Sequence, residues 1–163
     1  MNDEKGQLSG EYMLLVGSLI VVLMISIFMI ANENELNIAM AAAKSGADEG
    51  VASSSAIYPK ETFNEYDDME GLKHPYSVSI VNVSYNSSGI DENYGKQKIQ
   101  FKVYAKASAD YNKKELDSIG DRINYNLRKS VATSFNTTDS TNKLYNPVFS
   151  NNYVFTTANV VWV

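Results

Sequence analysis

The chain of 163 residues contains no cysteine. That excludes a disulfide framework and any thiolate metal site, and leaves packing alone to stabilise the fold. Its single histidine, His74, stands before Pro75 with neither a cysteine nor a glycine-rich elbow to work with, and reads as a bystander. No glycine-rich phosphate loop and no metal-ligand spacing occurs, so no cofactor or metal is expected. The acidic run Asp67, Asp68, Glu70 lacks the alternation of a calcium loop and reads as a solvated connection. Basic residues are also scarce: 14 Lys and Arg stand against 19 Asp and Glu, for a net charge of -5. Without a clustered basic face, nucleic acid is an unsuitable partner. No internal repeat is visible, and nothing assembles an active site. The chain reads as non-enzymatic.

What the sequence does have is a long apolar run. From Tyr12 to Ala31 there is no charged residue, and Glu11 sits at the lip. Rising ~1.5 Å per residue, a helix over these twenty positions spans ~30 Å, the thickness of a bilayer core. A secretory signal peptide places its cleavage site after such a run, whereas the small residue suited to cleavage here, Gly6, lies before it. The helix is therefore expected to remain in the mature protein. Lys5 precedes it and Glu33 and Glu35 follow it, an asymmetry that favours the amino end inside and the bulk of the chain outside.

The stretch Lys5, Gly6, Gln7, Leu8, Ser9, Gly10, Glu11, Tyr12 resembles the processing signature of archaeal type IV pilins with a class III signal peptide, found in methanogens. The resemblance covers these residues and the helix behind them, and none extends to the C-terminal two thirds. It implies cleavage by a prepilin peptidase between Gly6 and Gln7. It also implies assembly into an extracellular filament, with Glu11 pairing with the amine of a neighbouring subunit. On the residues themselves, Ser9 is expected to cap the helix, leaving Lys5, Gly6 and Gln7 extended for a protease to grip. Gly10 and Gly17 offer a smooth strip for close helix contact.

Beyond the apolar run, Leu36, Ala39, Met40, Ala43, Ala47 and Val51 recur at steps of three and four, predicting one helix from about Ser9 to Ala56. Its upper half is rich in small residues, among them Gly46 and Gly50. Such a strip serves contact between subunits or covers the chain's own domain. Pro59 ends the signal, and a polar connection runs from Lys60 to Pro75. Tyr76 to Tyr85 reads as a strand whose parity changes near Ile80 and Val81, predicting a bulge. Lys98 to Ala107 alternates cleanly, with Ile99, Phe101, Val103 and Ala105 inward, and the two strands read as a hairpin. Asn112 and Glu115 form a capping box before a helix whose stripe is Leu116, Ile119, Ile123, Leu127, Val131 and Phe135. Asp117, Asp121, Arg122 and Lys129 are expected in water. A turn-rich stretch from Asn136 to Asn152, with Pro147, precedes Tyr153 to Val163, which reads as an interior strand finishing the sheet.

The expected architecture is α+β: a cleaved segment 1–6, a long helix 7–56, and an extracellular domain 57–163 with an antiparallel sheet and one packed helix. The expected function is that of a structural pilus subunit, anchored in the cytoplasmic membrane as a precursor, then a homo-oligomeric surface filament used in adhesion. The alternative is a monomeric, signal-anchored surface domain that binds a partner. Sequons at Asn82, Asn86 and Asn136 permit glycans, although their number is what composition yields by chance. Tyr94, Tyr145 and Tyr153, in or beside expected loops, are candidates for an adhesive surface.

Overall fold

A computed structural model describes residues 3–52, 77–136 and 144–163, with side chains from Gly10 onward. Pro59, the connection containing the acidic run and His74, and the expected helix end at Ala56 lie outside the described residues. The chain forms two compact units, Met1–Leu36 and Asn37–Val163. The first helix, α1 (Asp3–Ala52), contributes to both.

Unit Asn37–Val163 combines residues 37–52 of α1, a second helix α2 (Lys113–Phe135) and five strands. The strands are β1 (Val78–Ile90), β2 (Gln97–Ala107), β3 (Val148–Phe149), β4 (Tyr153–Thr157) and β5 (Val161–Trp162). They form one sheet of order β1-β2-β4-β3, with β5 also pairing with β2. The fold is α+β.

β1 and β2 form the expected antiparallel hairpin. Its register shifts between Ile80 and Asn82, where the sequence parity changes, and again between Ser87 and Ile90. β1 runs on to Ile90, past its expected end at Tyr85, and the turn occupies Asp91 to Gly95, closed by Asp91 N–H donating to Lys96 O at 2.8 Å. The alternation along β2 holds: Ile99, Phe101, Val103 and Ala105 are fully buried.

The sheet is mixed rather than purely antiparallel, because β4 runs parallel to β2. A parallel neighbour needs a crossover, and α2 lies in the connection between β2 and β4. β3 pairs antiparallel with β4 through a turn in which Ser150 N–H donates to Tyr153 O at 3.0 Å. The C-terminal stretch therefore does finish the sheet, with β4 between β2 and β3. Its run along β2 is interrupted at residues 158–160 before β5 resumes opposite Tyr104 and Ala105.

The capping box of α2 is complete, since the Asn112 side chain accepts from Glu115 N–H and the Glu115 carboxylate accepts from Asn112 N–H, both at 2.9 Å. Ile119, Ile123, Leu127 and Val131 are buried as the periodicity predicts. Arg122 is not in water, however: it is 3% exposed. The reason lies in α1. A Cβ built on Gly46 would stand 2.6 Å from Asn126 O and 2.8 Å from Leu127 Cα, and one on Gly50 would stand 2.9 Å from Ile123 Cα. Two backbones at this separation enclose a second stripe of α2, Ser118, Arg122 and Asn126, which steps by four and is buried. Asn126 Nδ2 donates to Arg122 O at 3.0 Å within it. The small residues of upper α1, including Ala39, Ala43 and Ala47 at 0% exposure, thus pack within their own unit.

The far end of α2 meets the loop before β3. Arg128 Nε donates to Leu144 O at 3.1 Å, and the Tyr125 and Tyr145 rings lie 5.8 Å apart. Burial pushes the Tyr125 phenol above its ordinary value, Tyr145 adds to the rise, and Arg128 opposes it.

Two outcomes test this packing. Gly46→Ala, although alanine is the better helix former, should destabilise the unit by about 1–3 kcal/mol because the new methyl meets α2 backbone. Urea unfolding of the full chain in detergent reads the loss. Because the folded pKa of Tyr125 is raised, its contribution is intact below the unfolded value of ~10 and is lost as pH rises through the folded one. Stability should therefore fall as pH rises above ~10, and Tyr125→Phe should make that fall shallower in the same assay.

Candidate functional site

Among the described residues, nothing covers the apolar segment of unit Met1–Leu36. Fifteen large apolar side chains from Tyr12 to Ile30 are each between 51% and 77% exposed, covering every side of the helix. A helix apolar all round is suited to hydrocarbon or to the core of an assembly, not to water. The segment belongs to a helix long and apolar enough to cross a membrane. Its polar interruptions are closed locally: Ser18 Oγ donates to Leu15 O and Ser26 Oγ to Val22 O, both at 2.8 Å. A hydroxyl satisfied by its own helix carries little penalty in an apolar medium.

The residues of the processing signature all fall on this helix. Lys5, Gly6, Gln7 and Ser9 lie inside α1, which begins at Asp3. Ser9 is therefore not the N-cap, and Lys5 to Gln7 are helical where an extended segment was expected. The apolar run behind them propagates the helix backwards, since adding a residue to an existing helix avoids the nucleation penalty. Glu11 is exposed at the edge of the apolar segment, within reach of solvent and of any second chain. Gly10 and Gly17, on one face two turns apart, would meet nothing within 4 Å if each carried a Cβ. They contrast with Gly46 and Gly50, whose space is taken by α2.

The remaining candidates are dispersed over unit Asn37–Val163. Asn82 and Asn86 are exposed on β1 with the spacing that puts both on one face. Asn136 is exposed at the C-cap of α2 in the left-handed conformation (φ 52°), while the last residue of its sequon lies outside the described residues. The three tyrosines do not form one surface. Tyr94 is half exposed in the hairpin turn, edge-on to Phe149 at 4.8 Å, whereas Tyr153 is 7% exposed in β4. Tyr153 is a core residue because β4 lies inside the sheet.

No family model, curated protein or solved structure matches the chain.

If the lower glycines face a partner and the upper ones face α2, their substitutions should separate. Gly17→Ala should leave the unfolding of unit Asn37–Val163 unchanged within ~0.5 kcal/mol, the range of a surface change away from any contact. The check is the same urea titration in detergent that detects the loss in Gly46→Ala.

Proposed function

We propose that the protein is the structural subunit of an archaeal type IV pilus, made as a membrane-anchored precursor, cleaved between Gly6 and Gln7, and assembled into an extracellular filament used in adhesion. The observation that carries this reading is the apolar segment Tyr12 to Ile30, exposed on all sides and bounded by a carboxylate at Glu11. A plain anchor would be served by the apolar segment alone. The resemblance of Lys5, Gly6, Gln7, Ser9 and Glu11 to the pilin processing signature adds a use for the residues before it.

The energetics favour a segment that changes surroundings without meeting water. Exposing its side chains would cost of the order of tens of kcal/mol, at ~1.5–3 kcal/mol for each large one. Moving the helix from lipid into a bundle of like helices avoids that cost, because both media are apolar. The net drive then comes from close packing along Gly10 and Gly17 and from neutralising Glu11. Removal of residues 1–6 creates an α-amine on Gln7, ~6 Å along the helix from Glu11 at ~1.5 Å per residue. A carboxylate at a hydrocarbon edge is stabilised by such a partner, supplied in a filament by the adjacent subunit. The unit Asn37–Val163 forms the outer coat, and glycans on Asn82 and Asn86 would lie on it.

The test is the mass and N-terminal sequence of protein sheared from cells without detergent. A chain beginning at Gln7, free or cyclised, is the expected result. Gly6→Phe should abolish cleavage, and Glu11→Ala should leave cleavage intact but remove the protein from the sheared fraction. Recovery of intact Met1 from detergent-solubilised membrane alone would overturn the proposal in favour of a signal-anchored surface domain.

A further inference from the structure

Strand β1 is an edge of the sheet, with β2 as its only strand neighbour among the described residues. Exposed edges are usually guarded by charge, by proline or by bulges, because their unpaired backbone groups invite a further strand. β1 has no charged residue and no proline in its thirteen positions, in a chain of which 20% is charged. Its guards are the two register shifts, which leave Asn82 to Ser87 as an uninterrupted ladder against Tyr104 to Ile99.

The run between the shifts has the same chemistry in both directions. Asn82, Val83, Ser84, Tyr85 and Asn86 read amide, apolar, hydroxyl, aromatic, amide about Ser84. Asn82, Ser84 and Asn86 share one face with Lys102 of β2, and Val83 and Tyr85 share the other with the buried Val103 and Phe101. Val83 is buried there, whereas Tyr85, on the core side of the sheet, stays half in water.

These features select the occupant. A charged partner finds no counter-charge on β1, whereas a second copy of the chain brings an equally neutral strand and no like-charge opposition. Antiparallel pairing about a two-fold axis at Ser84 sets Asn82 against the partner's Asn86, Ser84 against the partner's Ser84, and Val83 against the partner's Tyr85. Amide meets amide and hydroxyl meets hydroxyl. Tyr85 gains a β-branched neighbour on its own face, a pairing that stabilises strand contacts. Moving the axis to Tyr85 would put Val83 against the partner's Ser87, and the register shifts at either end stop the strands from sliding further. We infer that the β1 edge is an interface with a second copy of this chain, closed by antiparallel β1 pairing centred on Ser84. A glycan on Asn82 or Asn86 would stand in the contact, so it forms between unglycosylated chains. The inference does not rest on filament assembly, since β1 lies wholly in unit Asn37–Val163.

Because the chain has no cysteine, the register can be read by cross-linking. Single-cysteine variants of the full chain, made without N-glycosylation and held in detergent, are oxidised with diamide, and linked dimers are counted by non-reducing electrophoresis. Opposed residues of paired strands have Cα atoms ~4.5–5.5 Å apart, within disulfide range, whereas two copies of position 82 would be offset by four residues, ~13 Å. Ser84→Cys should dimerise about tenfold faster than Lys106→Cys, at an exposed position of the neighbouring strand β2. Asn82→Cys and Asn86→Cys should each stay monomeric alone and cross-link when mixed. Adding Tyr85→Lys to Ser84→Cys should return its rate to that of Lys106→Cys, because it puts a charge on each copy at the contact. Equal rates for Ser84→Cys and Lys106→Cys, or Asn82→Cys linking to itself as fast as to Asn86→Cys, would overturn the inference. Neither result bears on whether the chain is cleaved at Gly6 or assembles through its apolar helix.

Discussion

The closeness of two helix backbones governs the globular unit. At Gly46 and Gly50, α1 approaches α2 to a distance that leaves no room for even a methyl group. The interior of α2 therefore has two sides. Its apolar stripe, Ile119, Ile123, Leu127 and Val131, fills the hydrophobic core, and its polar stripe, Ser118, Arg122 and Asn126, is shut in as well. Side chains of this kind are enclosed only where the facing surface is almost flat, and glycine and alanine supply that surface. With α2 held in this way, the crossover between β2 and β4 has a fixed path, and the sheet becomes mixed.

The same helix obeys the opposite logic at its other end. From Tyr12 to Ile30 nearly every large side chain is exposed, and the two serines are satisfied by the helix itself. Gly10 and Gly17 have open space where Gly46 and Gly50 have a neighbour. One composition, small residues at helical spacing, thus serves contact within the chain in one segment and leaves a free face in another. The apolar segment is stable only away from water, which is the physical basis on which the proposed passage from lipid into an assembly rests.

The interrupted final strand shapes the surface beside α2. Had Tyr153 to Val163 run unbroken along β2, the backbone at residues 158–160 would be committed to the ladder. Ala158 N–H still donates to Phe101 O of β2 at 2.8 Å, but its carbonyl accepts from Asn124, and Val160 packs onto Gly120. The break holds Asn159 and Trp162 against the acidic face of α2 and creates a polar cavity on a frame otherwise built for packing.

Much of this was legible in the residues alone because it depends on local periodicity. Helix α2 and its capping box, the alternation of β2, the bulge near Val81 and the membrane-length helix each follow from the spacing of apolar and capping residues over a few turns or pleats. Periodicity could not reveal that Arg122 is buried, since a polar stripe looks solvated until a flat partner covers it. Nor could it distinguish the parallel pairing of β4 from an antiparallel one, because both require the same apolar content. Asp117, Asp121 and Asn124 step along α2 by four and three and are legible as one helix face. Only the tertiary structure brings Trp162 to that face, and only it separates Gly46, pressed against α2, from Gly17. The two helices, the hairpin and the final strand segment were readable along the chain because they follow from each residue's near neighbours, whereas the helical start at Asp3 and the short strand Val148–Phe149, inside a stretch read as turn-rich, were not. Tertiary structure decided which of two chemically similar faces is covered, because that depends on contacts between residues far apart in the chain.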